Sequence, residues 1–263
     1  MNSLKITVKD FAIFESAINA LVKIVNQAKF MVDESGLTVY SMNSYARTEL
    51  TSNCIKSTEP LEFCMSDISM LQKVLNTIKR ESSSDSPDIR LEFDGQFIYV
   101  KSSAAKAKII TVKEDIIRDF VSPKKVSTIL TPIFEFITSS QLIKNVVQNT
   151  YIFQDSSNAR IYLTVKSEKN EDLENNLIYA TLDNRNDIYS NSMVLKFGTV
   201  CSGSLNRDII LDIDRIQLFS IMDGKEIKIQ LMDKNVLVSE IVKMNDAKTV
   251  KLNLKIFNSI RKN

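Results

Sequence analysis

The alternation of apolar and polar residues predicts a strand, a helix and then a run of short strands at the start of the chain. Leu4, Ile6 and Val8 alternate with polar residues, which is typical of a half-buried strand. From 9 to 26 the apolar residues recur at the spacing of an amphipathic helix, and Asp10 stands where an N-cap is expected. Further strands are predicted at 28–32, 37–42, 47–54 and 61–65.

A second helix and three more strands complete this first pattern. The apolar residues of 68–80 lie on one face of the predicted helix, and Lys73, Asn76 and Arg80 lie on another. Asp94 and Gly95 indicate a hairpin turn between two of the strands that follow. These strands are predicted at 89–93, 97–101 and 106–112. Residues 113–131 show neither period, so we interpret them as an interdomain connector.

The pattern begins again after the connector. A helix is predicted at 139–148, between strands at 133–137, 151–153, 161–165, 177–182 and 194–200. The helix and hairpin that begin at Asp67 are echoed by those that begin at Asp212. We therefore expect an α+β fold of two duplicated β-α-βββ-β-α-βββ domains, each of roughly 120 to 140 residues. The N-terminal domain would span 1–112, the connector 113–131 and the C-terminal domain 132–263.

The composition excludes several kinds of active site. The 263 residues include no His, no Trp and only five Gly. Without His there is no Ser-His-Asp or Cys-His pair, no imidazole base and no His-bearing zinc site. The segment from Gly198 to Gly203 has the glycine spacing of a phosphate loop but lacks its Lys, so we interpret it as a loop between strands. We expect no cofactor, no metal and no enzymatic activity.

The cysteines and the hydropathy suggest where the protein acts. Cys54, Cys64 and Cys201 form no CxxC pair, and each lies in or beside an apolar run, which is typical of buried thiols in a reducing compartment. The first nine residues lack a signal-peptide core, and nowhere do 18 apolar residues run without a charge. We expect a soluble intracellular protein with no membrane partner.

Two stretches resemble the DNA polymerase sliding clamps related to proliferating cell nuclear antigen. Residues 18–28 read Ile-Asn-Ala-Leu-Val-Lys-Ile-Val-Asn-Gln-Ala, and residues 35–44 read Ser-Gly-Leu-Thr-Val-Tyr-Ser-Met-Asn-Ser. In similar clamps the same helix leads into a strand pair that ends Ser-Met-Asp-Ser. The resemblance is most specific over 1–112 and rests on the pattern over 128–263. It implies a ring-shaped homotrimer of two-domain subunits, with helices inside and sheets outside.

The resemblance also implies a function. The protein would be a processivity factor that encircles double-stranded DNA without reading its sequence, tethers a DNA polymerase and other replication proteins, and is opened by an ATP-driven clamp loader. It would act at replicating DNA, in the host cytoplasm for a phage and in the nucleus for a eukaryotic or viral source. A viral or phage source is favoured by the Asn-, Ile- and Lys-rich composition and by the divergence from cellular clamps. Glu15, Ser16 and Val22 occupy first-helix positions that are often Lys in similar clamps, so the inner surface would be only weakly basic.

Three groups of candidate site residues follow from the resemblance. The DNA-facing group contains basic residues away from the apolar stripes of the helices: Lys23, Lys73, Arg80, Lys144 and Arg215. The subunit interface would join edge strands at 106–112 and 177–182, through Lys106, Ile109, Ile110, Val112, Leu177, Tyr179 and Thr181. Partner peptides would dock on Met42, Val126, Ile129, Leu130 and Leu254. Each group has an alternative interpretation. The basic residues would be solvated surface charges, the edge strand would be protected by its lysines without an interface, and the docking residues would be ordinary core residues.

Two other functions remain open. A monomeric or dimeric processivity or checkpoint-type relative would have the same domains, but it would need a stronger basic face than this sequence shows. A carboxylate-metal hydrolase could be built around Asp212 and Asp214 or around Asp183 and Asp187. These carboxylates lack a further ligand motif, and acidic residues at helix starts favour the helix dipole, so capping is the better interpretation.

Overall fold

The computed structural model describes residues 4–42, 46–82, 87–103, 105–117, 130–153, 160–170, 173–182, 192–205, 208–222, 226–233 and 236–259. The chain divides into two compact units. The first comprises Met1–Ser127 and Val242–Leu254, and the second comprises Thr128–Ile241 and Lys255–Asn263. The sequence boundaries placed 242–254 in the C-terminal domain, whereas in the structure this segment packs with the first unit.

The elements of the N-terminal repeat follow the predicted order β-α-βββ-β-α-βββ. They are β1 (Leu4–Thr7), α1 (Phe11–Ile24), β2 (Ala28–Val32), β3 (Leu37–Met42), β4 (Ala46–Ser52), β5 (Leu61–Met65), α2 (Ile68–Glu81), β6 (Arg90–Phe93), β7 (Phe97–Lys101) and β8 (Lys106–Ile110). A 3-10 turn spans Glu114–Ile116.

The C-terminal repeat has the same order. Its elements are β9 (Pro132–Thr138), α3 (Ser140–Phe153), β10 (Arg160–Asn170), β11 (Leu173–Leu182), β12 (Met193–Gly203), β13 (Ile209–Asp212), α4 (Ile213–Leu218), β14 (Ile227–Met232), β15 (Val236–Met244) and β16 (Lys251–Ser259). The predicted α+β class and duplicated pattern are confirmed. No described helix has the length and hydropathy needed to span a membrane.

The first unit contains two antiparallel sheets. One has the order β1-β6-β7-β8, and the strands of the other follow the order β4-β3-β2-β5. Residues of β2, β3 and β4 alternate strictly between buried and half-buried, because one face of their sheet covers the core. Phe30 and Phe63, opposite each other on β2 and β5, stack with ring centroids 4.9 Å apart.

Side-chain caps fix the starts of the first two helices. Asp10 Oδ1 accepts a hydrogen bond from Ile13 N at 2.9 Å, and Asp67 Oδ1 accepts one from Ser69 N at 3.0 Å. Each cap satisfies a backbone donor that the helix leaves unpaired at its first turn. The predicted hairpin between β6 and β7 is also present, and Gly95 turns it with φ 93°, a conformation that favours glycine.

The second unit is built on strands in the order β13-β10-β11-β12-β9-β14-β15, again with antiparallel pairing in every described register. Phe134, Phe136 and Phe197 lie in its core. The Phe136 ring is tilted against that of Phe134 on the same strand and against that of Phe197 on β12, with centroids 5.9 and 6.0 Å apart. Ile143 and Val146 of α3 and Ile216 of α4 are buried. Each sheet therefore turns one apolar face towards a pair of helices.

Two predicted elements of this unit are wrong. Residues 151–153 continue α3 instead of forming a strand, since no Gly or Pro interrupts the helix before these β-branched and aromatic residues. Gly198 to Gly203 lies within β12 instead of a loop; it pairs with β11 at Gly198 and Thr199 and with β9 from Thr199 onwards. Cys201, in this segment, is exposed, whereas Cys54 and Cys64 are buried as expected.

Candidate nucleic-acid interface

The outward faces of α1 and α2 carry most of the predicted DNA-facing residues. The apolar stripes of both helices are buried, which leaves Lys23, Lys73 and Arg80 exposed. Arg80 Nε lies 3.0 Å from Glu81 Oε1, in an exposed ion pair of adjacent residues. Exposed pairs of this kind contribute little to stability and leave the guanidinium accessible to a phosphate.

The sequence analysis missed two basic residues on this face. Lys79 Nζ donates to both carboxylate oxygens of Glu15, at 3.1 and 2.9 Å, across the α1–α2 contact. Lys243 Nζ donates to Ser16 Oγ of α1 at 2.7 Å. The helical pattern could have identified Lys79, which neighbours the selected Arg80. Lys243 could not have been found from local sequence, because it reaches α1 from a strand 227 residues away.

The helices of the second unit contribute one accessible basic residue of the predicted set. Lys144 is exposed on α3, whose segment from Ser140 to Phe153 contains no acidic side chain. Arg215 on α4 has a side chain only 16% exposed, and its Nε lies 3.5 Å from Asp212 Oδ2. Arg215 is therefore less accessible than Lys144, and Asp212 balances its charge.

The ion pair of Asp212 with Arg215 also concerns the alternative function, a carboxylate-metal hydrolase. Asp212 is the N-cap residue of α4, but its side chain makes no capping hydrogen bond and instead contacts Arg215. Asp183 and Asp187 lie outside the described residues. Within the described ranges, no group of three or more His, Cys, Asp or Glu side chains is placed to hold a metal ion.

The candidate peptide-docking residues occupy different environments. Met42 is half-buried at the end of β3, opposite Arg47, and Leu130 is half-buried before β9. Leu254 is fully buried in β16, so its side chain belongs to the core. Val126 and Ile129 lie outside the described residues. Peptide docking therefore stays a prediction. Of the candidate docking residues in the first unit, Met42 is the accessible one.

Among the described strands, β8 is paired on one side only, whereas β11, the other predicted edge strand, is paired on both sides. β8 pairs with β7 and ends its sheet, and Ile110 on it is 64% exposed while Ile109 is buried. Val112 lies beyond β8 and donates its backbone N–H to Cys64 O at 2.9 Å. The expectation that 177–182 is an edge is wrong, because β11 pairs with β10 on one side and with β12 on the other.

Besides β13, which ends the sheet and pairs with β10, the described residues of the second unit leave an open edge on β12. Residues 193–196 pair with β11, whereas β9 pairs with β12 only from Thr199 to Gly203 among the described residues. The outer side of the first half of β12 is thus open, and Val194 there is 47% exposed. An apolar, unpaired strand edge invites pairing with another chain.

A polar groove of about 310 Å³ lies within the first unit. Its lining includes Ser35, Thr38, Thr51, Asn53 and Lys251. Among the lining residues that the structure describes, Lys251 is the only charged one, and none carries a carboxylate or a thiol.

The fold matches solved sliding-clamp structures over its whole length, although neither a protein-family model nor a curated protein matches the sequence. The crystal structure of proliferating cellular nuclear antigen from Entamoeba histolytica is similar with a TM-score of 0.72 and 15% identity, covering 100% of both chains. The A. fulgidus antigen, in a structure with the C-terminal region of FEN-1 bound, matches with a TM-score of 0.70 and 12% identity over 99% of both chains. The chain therefore has the two-domain sliding-clamp fold of proliferating cell nuclear antigen.

Proposed function

We propose that this protein is a DNA sliding clamp, a non-enzymatic processivity factor that encircles double-stranded DNA and tethers replication proteins. The observation that carries the proposal is the clamp fold itself, matched from end to end in both compared chains. A clamp acts by geometry, so it needs neither a proton shuttle nor a phosphate loop. The absence of His from the sequence is compatible with that role.

The charge of the helix faces supports sequence-independent contact. Lys23, Lys73, Arg80 and Lys144 are exposed, and part of the remaining positive charge is balanced by Glu15 and Asp212. Basic side chains that meet phosphates hold DNA without reading bases, and few such contacts give weak, salt-sensitive affinity. Retention would then come from encirclement, and the protein could move along the duplex.

The open edges of β8 and of the first half of β12 support assembly into a closed ring. In the proposed homotrimer, β8 of one subunit pairs antiparallel with the first half of β12 of the next, and Ile110 and Val194 become buried. Such a contact joins different surfaces of each subunit, so identical contacts close a ring when the rotation permits it. A monomeric or dimeric relative of the clamp is the second candidate.

The proposed partners are a DNA polymerase, other replication enzymes and an ATP-driven clamp loader, at sites of DNA replication. One of the similar structures holds the C-terminal region of FEN-1 bound to its clamp. For this chain, docking of comparable peptide tails at Met42 is part of the proposal. Met suits such a surface because its flexible thioether adapts to several partners.

Encirclement is tested by loading the protein onto a nicked circular DNA and then linearising the circle. We expect the protein to escape from linear DNA and to stay on the circle, because a ring slides off free ends. Equal retention on both forms would contradict encirclement. Light scattering should first give about three times the subunit mass of 29.9 kDa, whereas a monomer would favour the second candidate.

The role of the helix faces is tested by charge reversal. Lys73→Glu combined with Lys144→Glu should reduce loading or polymerase processivity, because both exposed side chains lie on helix faces. The matched control is Lys56→Glu combined with Lys166→Glu, which makes the same charge change at exposed positions outside the helices. Equal losses in both pairs would show that only net charge matters and remove Lys73 and Lys144 from the interface.

A further inference from the structure

The outward face of the sheet β1-β6-β7-β8 combines cations with aromatic rings. Leu91, Ile98, Val100 and Ile109 are buried on the inward face. The alternation of side chains along the strands therefore turns the residues between them outward. Six of these form what we call the β7 platform: Arg90 on β6, Phe97, Tyr99 and Lys101 on β7, and Lys106 and Lys108 on β8.

Three cations of the β7 platform lie in one row across three strands. Arg90 is directly opposite Lys101, and Lys101 is directly opposite Lys106. Side chains in such positions are about 5 Å apart at Cβ, and like charges there destabilise a sheet. Glu92 forms an ion pair with Lys101, but neither Arg90 nor Lys106 forms one in the described part of the chain. The row therefore retains positive charge that an anion would neutralise.

Two aromatic rings lie beside this row. The ring centroids of Phe97 and Tyr99 are 6.4 Å apart, and both side chains are half-buried. Lys108 Nζ lies 3.6 Å from the Phe97 centroid, and Lys106 Nζ lies 5.5 Å from that of Tyr99. A cation thus lies against the Phe97 ring, and another lies within the range of a cation–π interaction with Tyr99.

A hydrogen bond fixes the orientation of Tyr99. Its hydroxyl donates to Asp94 Oδ2 at 3.0 Å, and the other Asp94 oxygen accepts from the backbone N–H groups of Gln96 and Phe97. These backbone hydrogen bonds hold the pKa of Asp94 below its ordinary value, and the bond to Asp94 raises the pKa of Tyr99. Tyr99 is therefore held as a neutral ring at the hairpin of β6 and β7.

We propose that the β7 platform binds single-stranded DNA, with bases stacked on Phe97 and Tyr99 and phosphates held by the surrounding cations. Paired aromatic side chains on an exposed four-stranded sheet are a known way to stack unpaired bases, and cations beside them track the backbone. Duplex DNA offers its phosphates but no unstacked base, so the aromatic pair favours a single strand. An acidic peptide would satisfy the charges but needs no pair of ring surfaces.

This surface is separate from the helix faces, and the inference does not depend on encirclement. A clamp with such a platform could hold the unpaired template beside the duplex. A protein that forms no ring could bind a single strand there equally well.

Fluorescence anisotropy with a labelled oligothymidylate of twelve nucleotides tests the stacking. Phe97→Leu combined with Tyr99→Leu should weaken binding tenfold or more, since each stacked base contributes strongly to affinity. The matched control is Tyr179→Leu with Lys166→Gln, which alters another Tyr with a Lys 5.4 Å from its ring. Undetectable binding by the wild-type protein in low salt, or equal loss in both double variants, would overturn the proposal.

The phosphate contacts are tested by salt dependence. Arg90→Gln combined with Lys108→Gln should reduce the slope of log affinity against log salt by about 1.4, since each contact to a single strand contributes about 0.7. An unchanged slope would contradict these contacts. A duplex of the same length or a polyglutamate peptide that binds as tightly, with the same loss in the Phe97→Leu and Tyr99→Leu variant, would assign the platform to that ligand instead.

Cross-linking of the unaltered protein covers the case in which a variant fails to fold. An oligonucleotide with 5-iododeoxyuridine, irradiated in the complex, should attach to Phe97 or Tyr99, and peptide mass spectrometry locates the attachment. Attachment only at residues of α1, α2 or α3 would place the single strand on the helix faces and overturn the proposal.

Discussion

Lys79 of α2 and Glu15 of α1 form an ion pair in which Lys79 Nζ lies 3.1 and 2.9 Å from the two carboxylate oxygens of Glu15. The Glu15 side chain is only 14% exposed, whereas that of Lys79 is 46% exposed. The pair therefore lies at the junction of the helices, with the lysine on its outer side. It cancels one positive charge on the face that we propose to meet DNA.

Removing this carboxylate should strengthen DNA contact. In Glu15→Gln the ammonium group of Lys79 becomes available to a phosphate, so duplex affinity should rise and the salt slope should steepen by about 0.9. Fluorescence anisotropy over a salt series measures both. The matched control is Glu62→Gln, which removes a carboxylate 2.9 Å from Lys29 Nζ on strands β5 and β2. The same gain in the control, or no gain in Glu15→Gln, would contradict the placement of DNA on the helices.

The open edge of β8 leads to a prediction about assembly. Ile110→Lys should shift the protein from trimer to monomer, because a charge would replace the most exposed apolar side chain of that edge. Ile133→Lys is the control, since Ile133 is 50% exposed on β9, a strand paired on both sides. Light scattering at several concentrations gives the mass. Unchanged mass for Ile110→Lys would exclude this edge from the interface.

Position 198 of β12 is expected to tolerate only glycine, because the neighbouring strand leaves no room for a Cβ. A Cβ at this position would lie 2.4 Å from Ile137 O of the neighbouring β9, so Gly198→Ala must displace the strand backbone. We expect a loss of about 2 kcal/mol in the free energy of unfolding, as for other overpacked sites. In Gly95→Ala the Cβ meets nothing within 4 Å, and only the positive φ is unfavourable, so about 1 kcal/mol is expected. Urea unfolding measures the loss of unfolding free energy in both variants. A larger loss for Gly95→Ala than for Gly198→Ala would contradict the prediction.

Local periodicity was sufficient to predict most of the fold. The predicted strands at 28–32, 37–42, 61–65 and 97–101 have the observed bounds, because each alternates or ends at a clear turn signal. The end of α3 was missed because Tyr151, Ile152 and Phe153 favour strands by propensity, and only the continuity of the helix overrides that preference. The strand predicted at 194–200 is present, but its continuation to Gly203 was missed because two glycines suggest a loop, whereas here Gly198 permits close approach of β9.

The candidate sites depend on long-range pairing, which local pattern does not contain. The sequence indicates that 177–182 is apolar but not that β10 and β12 flank it, so it could not distinguish this interior strand from the open half of β12. Exposure of Lys73 and Lys144 followed from helical spacing alone. The partners of Lys79 and Arg215 required the packing of α1 on α2 and the start of α4.

Glu135 on β9 and Lys228 on β14 provide a prediction about pH. Their charged atoms lie 2.9 Å apart, and Gln230 Nε2 also donates to Glu135 Oε2 at 2.7 Å. The hydrogen bond from Lys228 holds the pKa of Glu135 below its ordinary value of 4.5, and the bond to Glu135 raises the pKa of Lys228 above 10.5. Glu135 therefore stabilises the fold above its ordinary pKa, and this stabilisation is lost as the pH falls through the lowered pKa. The stabilisation by Lys228 is fully present below pH 10.5, its ordinary pKa, and is lost as the pH rises through its raised pKa.

Glu135→Gln should isolate the charge, because its amide oxygen can still accept from Gln230. At neutral pH we expect a loss of about 0.5–1 kcal/mol in the free energy of unfolding, at the low end because Lys228 is partly exposed and screened by solvent. The difference from the wild-type protein should shrink as the pH falls through the lowered pKa of Glu135, because the carboxylate then becomes protonated. A double-mutant cycle with Lys228→Gln, measured by urea unfolding at neutral pH and over a series of lower pH values, gives the coupling directly. Coupling that persists unchanged at the lower pH values would show that the pair is held by packing and not by charge.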